Sequence, residues 1–203
     1  SLTTLKTSSR EGLLNELAQR GARAAAQFRT FSQEQVDHIT RSMVMAGIKQ
    51  ARKLANMARE ETTIGVVEDK VLKNMVACEF VWDSIKDQKS VGIIREDPEH
   101  NLMEAAEPIG LILSLTPITN PTSTVLFKCI LAAKTGNSLI LSPHSKASRC
   151  SNEAARVMYE AGRKAGAPEH FITWIDEPTR EDSLFLMQHP LVHLIDATGG
   201  RSM

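Results

Sequence analysis

Along the first hundred residues apolar side chains return every three or four positions, whereas beyond Gly110 they gather into short unbroken runs. The first rhythm is that of helices packed on one face. Ser8-x-x-Glu11 and Ser32-x-x-Gln35 both fit the capping box, in which a hydroxyl and a carboxylate or amide satisfy the free amides of a helix start. Leu13, Leu14, Leu17 and Phe28 follow the first box; Val36, Ile39, Met43 and Leu54 follow the second. A third helix is expected from about Val67, where Val71, Met75, Cys78, Trp82 and Ile85 step by four and three and predict a core stripe that includes Cys78.

Val91–Arg95 and Leu102–Ala106 flank the turn signal Glu96-Asp97-Pro98-Glu99-His100, which predicts a β-hairpin. From Gly110 the runs LILSL, SLIL, FITWI and LVHLI read as strands buried on both faces. Helices are expected between them: Pro121 to Lys134 with Gly136 at the left-handed C′ position, Ser145 to Lys164 closed by Gly166, and a short one over Thr179–Gln188. Successive βαβ units with right-handed crossovers make an α/β, doubly wound parallel sheet of Rossmann type. Three parts follow: an N-terminal helical segment, 1–89; the hairpin, 90–107; and a partial nucleotide-binding domain, 108–203. Thr198-Gly199-Gly200 looks like a strand-to-helix turn without its helix, so the sequence reads as truncated inside a domain.

Composition narrows the function classes. Lys+Arg and Asp+Glu both number 24, and aromatics make up only 4%. That balance gives neither the basic field nor the stacking surfaces of a nucleic-acid binder. No apolar run approaches the ~20 residues of a membrane span, and no secretory leader is visible at the N-terminus. Three cysteines without CxxC spacing make neither a disulfide framework nor a zinc site, so a reducing, cytoplasmic setting is expected. Cys78, Cys129 and Cys150 read as packing residues, and Lys128 carries no separable signal.

Ligands of an open parallel sheet sit beyond the carboxyl ends of its strands. Three loops leave such ends: Thr116–Pro121, Ser142–Lys146 and Thr198–Ser202. In the first, Asn120 takes the N-cap place and Pro121 the first helical position, a rigid ledge with Thr119 and Asn120 at its lip. Asn120 fits either a ligand contact or capping alone. Ser142-Pro143-His144-Ser145 fits either a ligand loop or a turn and cap, and Gly199-Gly200 permits close backbone approach.

GLILSLTPITNPTSTVLFKCILAAKTGNSLILSPHSKAS, EAGRKAGAPEHFITWID and HPLVHLIDATGG, with FSQEQVDHI and VEDKVLKN before them, resemble the coenzyme-A-acylating aldehyde dehydrogenases. The likeness is greatest to the N-terminal half of bifunctional aldehyde–alcohol dehydrogenases. The resemblance implies NAD-linked, reversible conversion of a small aldehyde and coenzyme A into an acyl-CoA. It places the nucleophilic cysteine downstream, outside this chain, so the 203 residues alone are expected to be inactive. It sets Thr116, Pro117, Ile118, Thr119 and Asn120 beside the nicotinamide and the reacting carbon, with Asn120 the candidate oxyanion donor. In hydrolytic relatives the corresponding Asn falls at Thr119, so either the loop is re-aimed or Asn120 is mainly a cap. Ser142, Pro143 and His144 would face the adenosine ribose; a Ser where those relatives have Lys points to NAD over NADP. Gly166, Ala167 and Pro168 resemble the turn beside the adenine, and Thr198, Gly199 and Gly200 the turn beside the pyrophosphate. The hairpin resembles an oligomerisation arm, which implies a homo-oligomer. The competing readings are a non-catalytic nucleotide-binding module and an assembly element.

Overall fold

The structure, a computed structural model, describes residues 2–200, with side chains from residue 10 onward. Helix α1 (Leu2–Phe28) runs through Ser8 without a break. The first expected capping box therefore does not open it; the hydroxyl of Ser8 lies outside the described side chains. A capping pattern is a local signal, and Thr3–Thr7 contain no Gly or Pro to stop a helix extending back through it. Leu14, Ala18, Ala24 and Phe28 form its buried line, while Leu13 is exposed. Helix α2 (Gln33–Thr62) does begin with its box: Ser32 Oγ accepts from the Gln35 amide, and Gln35 Oε1 accepts from the Ser32 amide at 2.8 Å. Val36, Ile39, Met43 and Leu54 are all buried.

Helix α3 (Val67–Met75) passes through a π turn, Val76–Phe80, into α4 (Val81–Ile85). Here the expected core stripe is corrected. Only Cys78 of that stripe is fully buried, and the upstream turns bury Lys70 and Asn74 instead. The inner face of α3 meets polar atoms: Asn74 Nδ2 donates to the Ala51 carbonyl at 2.9 Å, and the Thr122 hydroxyl donates to Asn74 Oδ1 at 2.9 Å. The buried amide is thereby satisfied at both ends, which is what permits it there.

Strands β1 (Gly92–Asp97) and β2 (Leu102–Ala106) pair antiparallel as a separate ribbon, as the hairpin signal predicts. The main sheet holds β3 (Leu111–Thr116), β4 (Ser138–Pro143), β5 (Ile172–Trp174) and β6 (Val192–Ala197), all parallel, in the order β5-β4-β3-β6. Helix α5 (Pro121–Lys134) joins β3 to β4, α6 (Ser148–Lys164) joins β4 to β5, and α7 (Arg180–Met187) joins β5 to β6. A 3-10 turn, Ser145–Ala147, precedes α6, so the α-helix starts three residues later than expected.

Alternation along the strands explains their unbroken apolar runs. Leu111, Leu113, Leu115 and Ile140 pack with Leu14 and Ala18 of α1 and Leu186 of α7. Ile112, Leu139, Leu141 and Ile172 pack on the opposite side with Val125, Cys129 and Ile130 of α5 and Ala155 and Met158 of α6. Strands β3 and β4 are buried along their whole length and β5 nearly so, covered on both faces. Strand β6, expected to be buried in the same way, is instead an edge strand that leaves Leu194 and Ile195 exposed. Helix α2 lies across α5 and α6 as an outer layer. The result is the doubly wound α/β fold that the run pattern predicts.

Candidate functional site

The strand order reverses between β3 and β6, because β3, β4 and β5 step outward in turn and β6 returns to the free side of β3. A crevice beyond the carboxyl ends of β3 and β6 is the topological place for a ligand. Backbone bonds stitch its rim together. The His144 amide, leaving β4, donates to the Thr116 carbonyl at 3.1 Å, and the Thr198 amide, leaving β6, donates to the Leu115 carbonyl at 3.1 Å. The three expected loops thus meet at one edge. Arg201 and Ser202, the far end of the third, lie outside the described residues.

Helix starts along this rim are not equally available. Glu61, at the end of α2, accepts from the Arg149 and Cys150 amides at 2.9 and 2.7 Å, so a carboxylate already occupies the first turn of α6. Helix α7 has a capping box of Thr179 and Asp182, and Arg10 pairs with Asp182 at 2.7 Å. Helix α5 differs: Asn120 stands at its N-cap position but its side chain caps nothing.

That side chain is held from another direction. Lys73 Nζ donates to Asn120 Oδ1 at 3.0 Å, and Lys70 Nζ donates to the Thr119 carbonyl at 3.1 Å. Burial, and then the nearby Lys73 ammonium, push the Lys70 pKa down. Thr119 is exposed, Asn120 half-buried, and Ile118 packs down on Ala58, Ala147 and Cys150. Thr116 is buried, and its Oγ1 has no partner among the described residues. Beside Asn120 lies an open groove of about 440 Å³, walled chiefly by Leu72, Val76, Val81 and Phe127.

Lys128 escaped the sequence reading. It is 3% exposed, and its Nζ donates to the Leu115 and Asp196 carbonyls at 3.0 and 3.1 Å and pairs with Asp196 Oδ1 at 3.2 Å. One ammonium therefore ties the ends of β3 and β6 at the switch point. Burial lowers its pKa, opposed by Asp196. A lysine set among Val125, Leu126, Cys129 and Ile130 is the signal that marks it.

Two expectations change. Ser142 and Pro143 are buried, and the Ser142 hydroxyl bonds Ser183 of α7 at 2.9 Å, so it faces a helix rather than open space. His144 is exposed, but its Nδ1 accepts from the Lys146 amide at 3.1 Å, the turn-and-cap role. Gly166, Ala167 and Pro168 do not reach the rim. They connect the end of α6 to the start of β5, where the Leu139 amide donates to the Phe171 carbonyl at 2.8 Å, and a parallel sheet puts that junction at its opposite edge. The loop that does leave β5 toward the rim is Ile175–Thr179, and the Glu177 carbonyl there accepts from Arg10 at 2.8 Å.

All three thiols are buried. Burial pushes Cys78 up to about 12, and burial with the Glu61 carboxylate pushes Cys150 up to about 12. Cys129 is raised further by burial. None is a ready thiolate.

A model of the aldehyde dehydrogenase family matches residues 5–203. The chain belongs to that family. This aldehyde dehydrogenase chain is 44% identical over 190 residues to the bifunctional aldehyde-alcohol dehydrogenase AdhE of Escherichia coli (strain K12), covering 94% of itself and 21% of the relative. It superposes on an acetylating aldehyde dehydrogenase from Geobacillus thermoglucosidasius with a TM-score of 0.93 at 43% identity, over 96% of this chain and 43% of that one. An engineered glycolyl-CoA reductase solved with bound NADP+ matches with a TM-score of 0.78 at 30% identity, over 93% and 43% of the two chains. The likeness read from the TPITNPTST, SPH and ATGG stretches therefore holds over helices, ribbon and sheet together. The chain spans about a fifth of the AdhE relative and less than half of the two solved chains.

Proposed function

We propose that this chain is the nicotinamide-cofactor-binding part of an enzyme that converts a short aldehyde and coenzyme A reversibly into an acyl-CoA, with NAD as the cofactor. The observation that carries the reading is the stitched rim, with the Asn120 amide held at its lip beside an apolar groove. The residues suit a dinucleotide. The buried Thr116 hydroxyl, at the end of β3, has no partner among the described residues, and among those residues nothing lies within 4 Å of where a side chain at Gly200 would stand. Glu61 and Asp182 already hold the starts of α6 and α7, and the likeness of Thr198-Gly199-Gly200 to the family's pyrophosphate turn makes that turn the place for the diphosphate. Ser142, tied to Ser183, supplies no cation for a 2′-phosphate, which favours NAD.

Bound there, the nicotinamide would supply the hydride acceptor. The chain's own contribution is positional and electrostatic. Asn120 presents its amide N–H to the aldehyde oxygen as charge develops on it, a contact of the kind whose removal lowers kcat about 10²–10³-fold in such sites. The groove beside it accepts the aldehyde's carbon chain. Subunit contact falls to the β1–β2 ribbon, where Ile93, Leu102 and Met103 stand exposed, so a homo-oligomer is expected by light scattering.

In the full-length protein, NADH formation from acetaldehyde is expected only when coenzyme A is present. NADH formed without coenzyme A, or none with any short aldehyde, defeats the reading. The 203 residues alone are expected to be inactive, since their thiols are buried and protonated.

A further inference from the structure

The stretch VEDKVLKN, residues 67–74, supplies one helix face that touches the Thr116–Pro121 junction and the helix after it at three places. Lys70 Nζ donates to the Thr119 carbonyl, Lys73 Nζ to Asn120 Oδ1, and Asn74 Oδ1 accepts from the Thr122 hydroxyl. Asn74 is anchored in turn on the Ala51 carbonyl of α2. Meanwhile α5 leaves the Asn120 side chain unused as a cap. The orientation of that side chain is therefore set by α3.

A carboxamide has one accepting end and one donating end, and an ammonium can only donate. Contact with Lys73 assigns the oxygen of Asn120 to α3 and turns its NH₂ the other way. We propose that Lys73 is a positioning residue for the reaction: it fixes the Asn120 amide so that the NH₂ is the end offered to the aldehyde oxygen. This inference rests on the oxyanion reading of Asn120. It also accounts for an asparagine one place beyond Thr119, where hydrolytic relatives carry theirs, because the donor is re-aimed from the side. The ammonium further polarises the amide, which strengthens its N–H as a donor. Lys73 itself is exposed, and an exposed contact of this kind adds little to folding. Its value lies in direction.

The test is a double-substitution cycle in the full-length enzyme, read as acetaldehyde- and CoA-dependent NADH formation. Lys73→Met is expected to lower kcat about 10- to 100-fold, with aldehyde KM changed less than about threefold, because the lost interaction belongs to the transition state. Lys73→Arg, which keeps a donor, is expected to stay within about fivefold of wild type. In an Asn120→Ala background, Lys73→Met should remove nothing more. Losses that multiply in the double variant overturn the proposal, as does a Lys73→Met enzyme equal to wild type. A crystal structure of the Lys73→Met enzyme gives a readout independent of turnover: the Asn120 side chain should leave its position or lose order, and an unchanged, ordered side chain refutes the role. A wild type that turns over no aldehyde defeats the oxyanion reading and this proposal together, whereas an active wild type with an unaffected Lys73→Met defeats this proposal alone.

Discussion

The two edges of the four-stranded sheet use the same residue types to opposite ends. At the amino-terminal edge, Gly136 and Gly166 close α5 and α6 in matching fashion. The Asn137 amide reaches back to the Ala132 carbonyl at 2.8 Å, and the Ala167 amide reaches back to the Gly162 carbonyl at 2.9 Å. This is the Schellman arrangement, with glycine at the left-handed position: φ is 68° at Gly136 and 101° at Gly166. Asn137 is buried, accepts from the Gly110 amide at 2.8 Å and donates to the Thr135 hydroxyl at 2.8 Å. At the carboxyl edge, the Asn120 side chain bonds a lysine of another helix rather than capping its own, and Thr116 keeps an unpartnered hydroxyl among the described residues. The amino edge spends these polar groups on itself, whereas at the carboxyl edge Thr116 and Asn120 are left out of such local pairing, which is why the proposed ligand site is placed there. A site is recognised less by its residue types than by what those residues leave undone.

The contrast breaks most readily at Asn120. Asn120→Ala is expected to lower kcat about 10²–10³-fold while changing stability by less than about 1 kcal/mol, checked by steady-state kinetics beside thermal melting. At the other edge, Asn137→Ala should do the reverse. Stability falls by roughly 1–3 kcal/mol, because the Gly110 amide loses its buried partner, while turnover per folded molecule is unchanged; urea unfolding of the full-length protein measures it. Gly166→Ala sharpens the assignment of that turn. Among the described residues a side chain there meets nothing within 4 Å, so the left-handed backbone is what opposes it, about 1–2 kcal/mol, with the KM for NAD unaltered. A raised KM would return the turn to the cofactor.

The smallest effect lies at the start of α7. Burial pushes the Asp182 pKa up, but Arg10 and the Thr179 amide and hydroxyl outweigh it, so the folded value is depressed. Its stabilisation is therefore complete above the ordinary carboxylate range and disappears as pH falls through the lower folded value. Asp182→Asn is expected to cost about 1 kcal/mol at pH 7, with a gap from wild type that closes in acid. A gap constant down to pH 2 would show that the carboxylate's charge is immaterial.

Much of this was legible in the residues. Helix α5 runs from Pro121 to Lys134 as expected, because Pro suits the first position and Gly136 the place past the end. The buried runs of β3 and β4 announce a doubly covered sheet. What the residues hide is pairing at a distance: Lys70 and Thr119 are 49 residues apart, and Asn74 and Ala51 are 23 apart. No periodicity shows that a lysine is buried against a carbonyl. The misplacement of Gly166–Pro168 is of another kind. The βαβ order already sends the end of every crossover helix to the amino edge, so connectivity contained the correction that the family likeness obscured. Glu61 left no trace, since a carboxylate near a helix end looks like any solvated one.

The wide turn at Val76–Phe80 separates two duties of one long helix. Its additional residue resets the angular phase, so that Lys70, Lys73 and Asn74 can serve the rim while Cys78 presses on Gly47, where a Cβ would stand 2.5 Å from its sulfur, and Trp82 lies 5.9 Å beneath the Lys134 ammonium. Deleting one residue in that turn would leave the helix continuous yet swing everything past it by about 100°. The two ends could then no longer be seated at once. That wide turn is the joint that lets contact with the rim and core packing be adjusted independently.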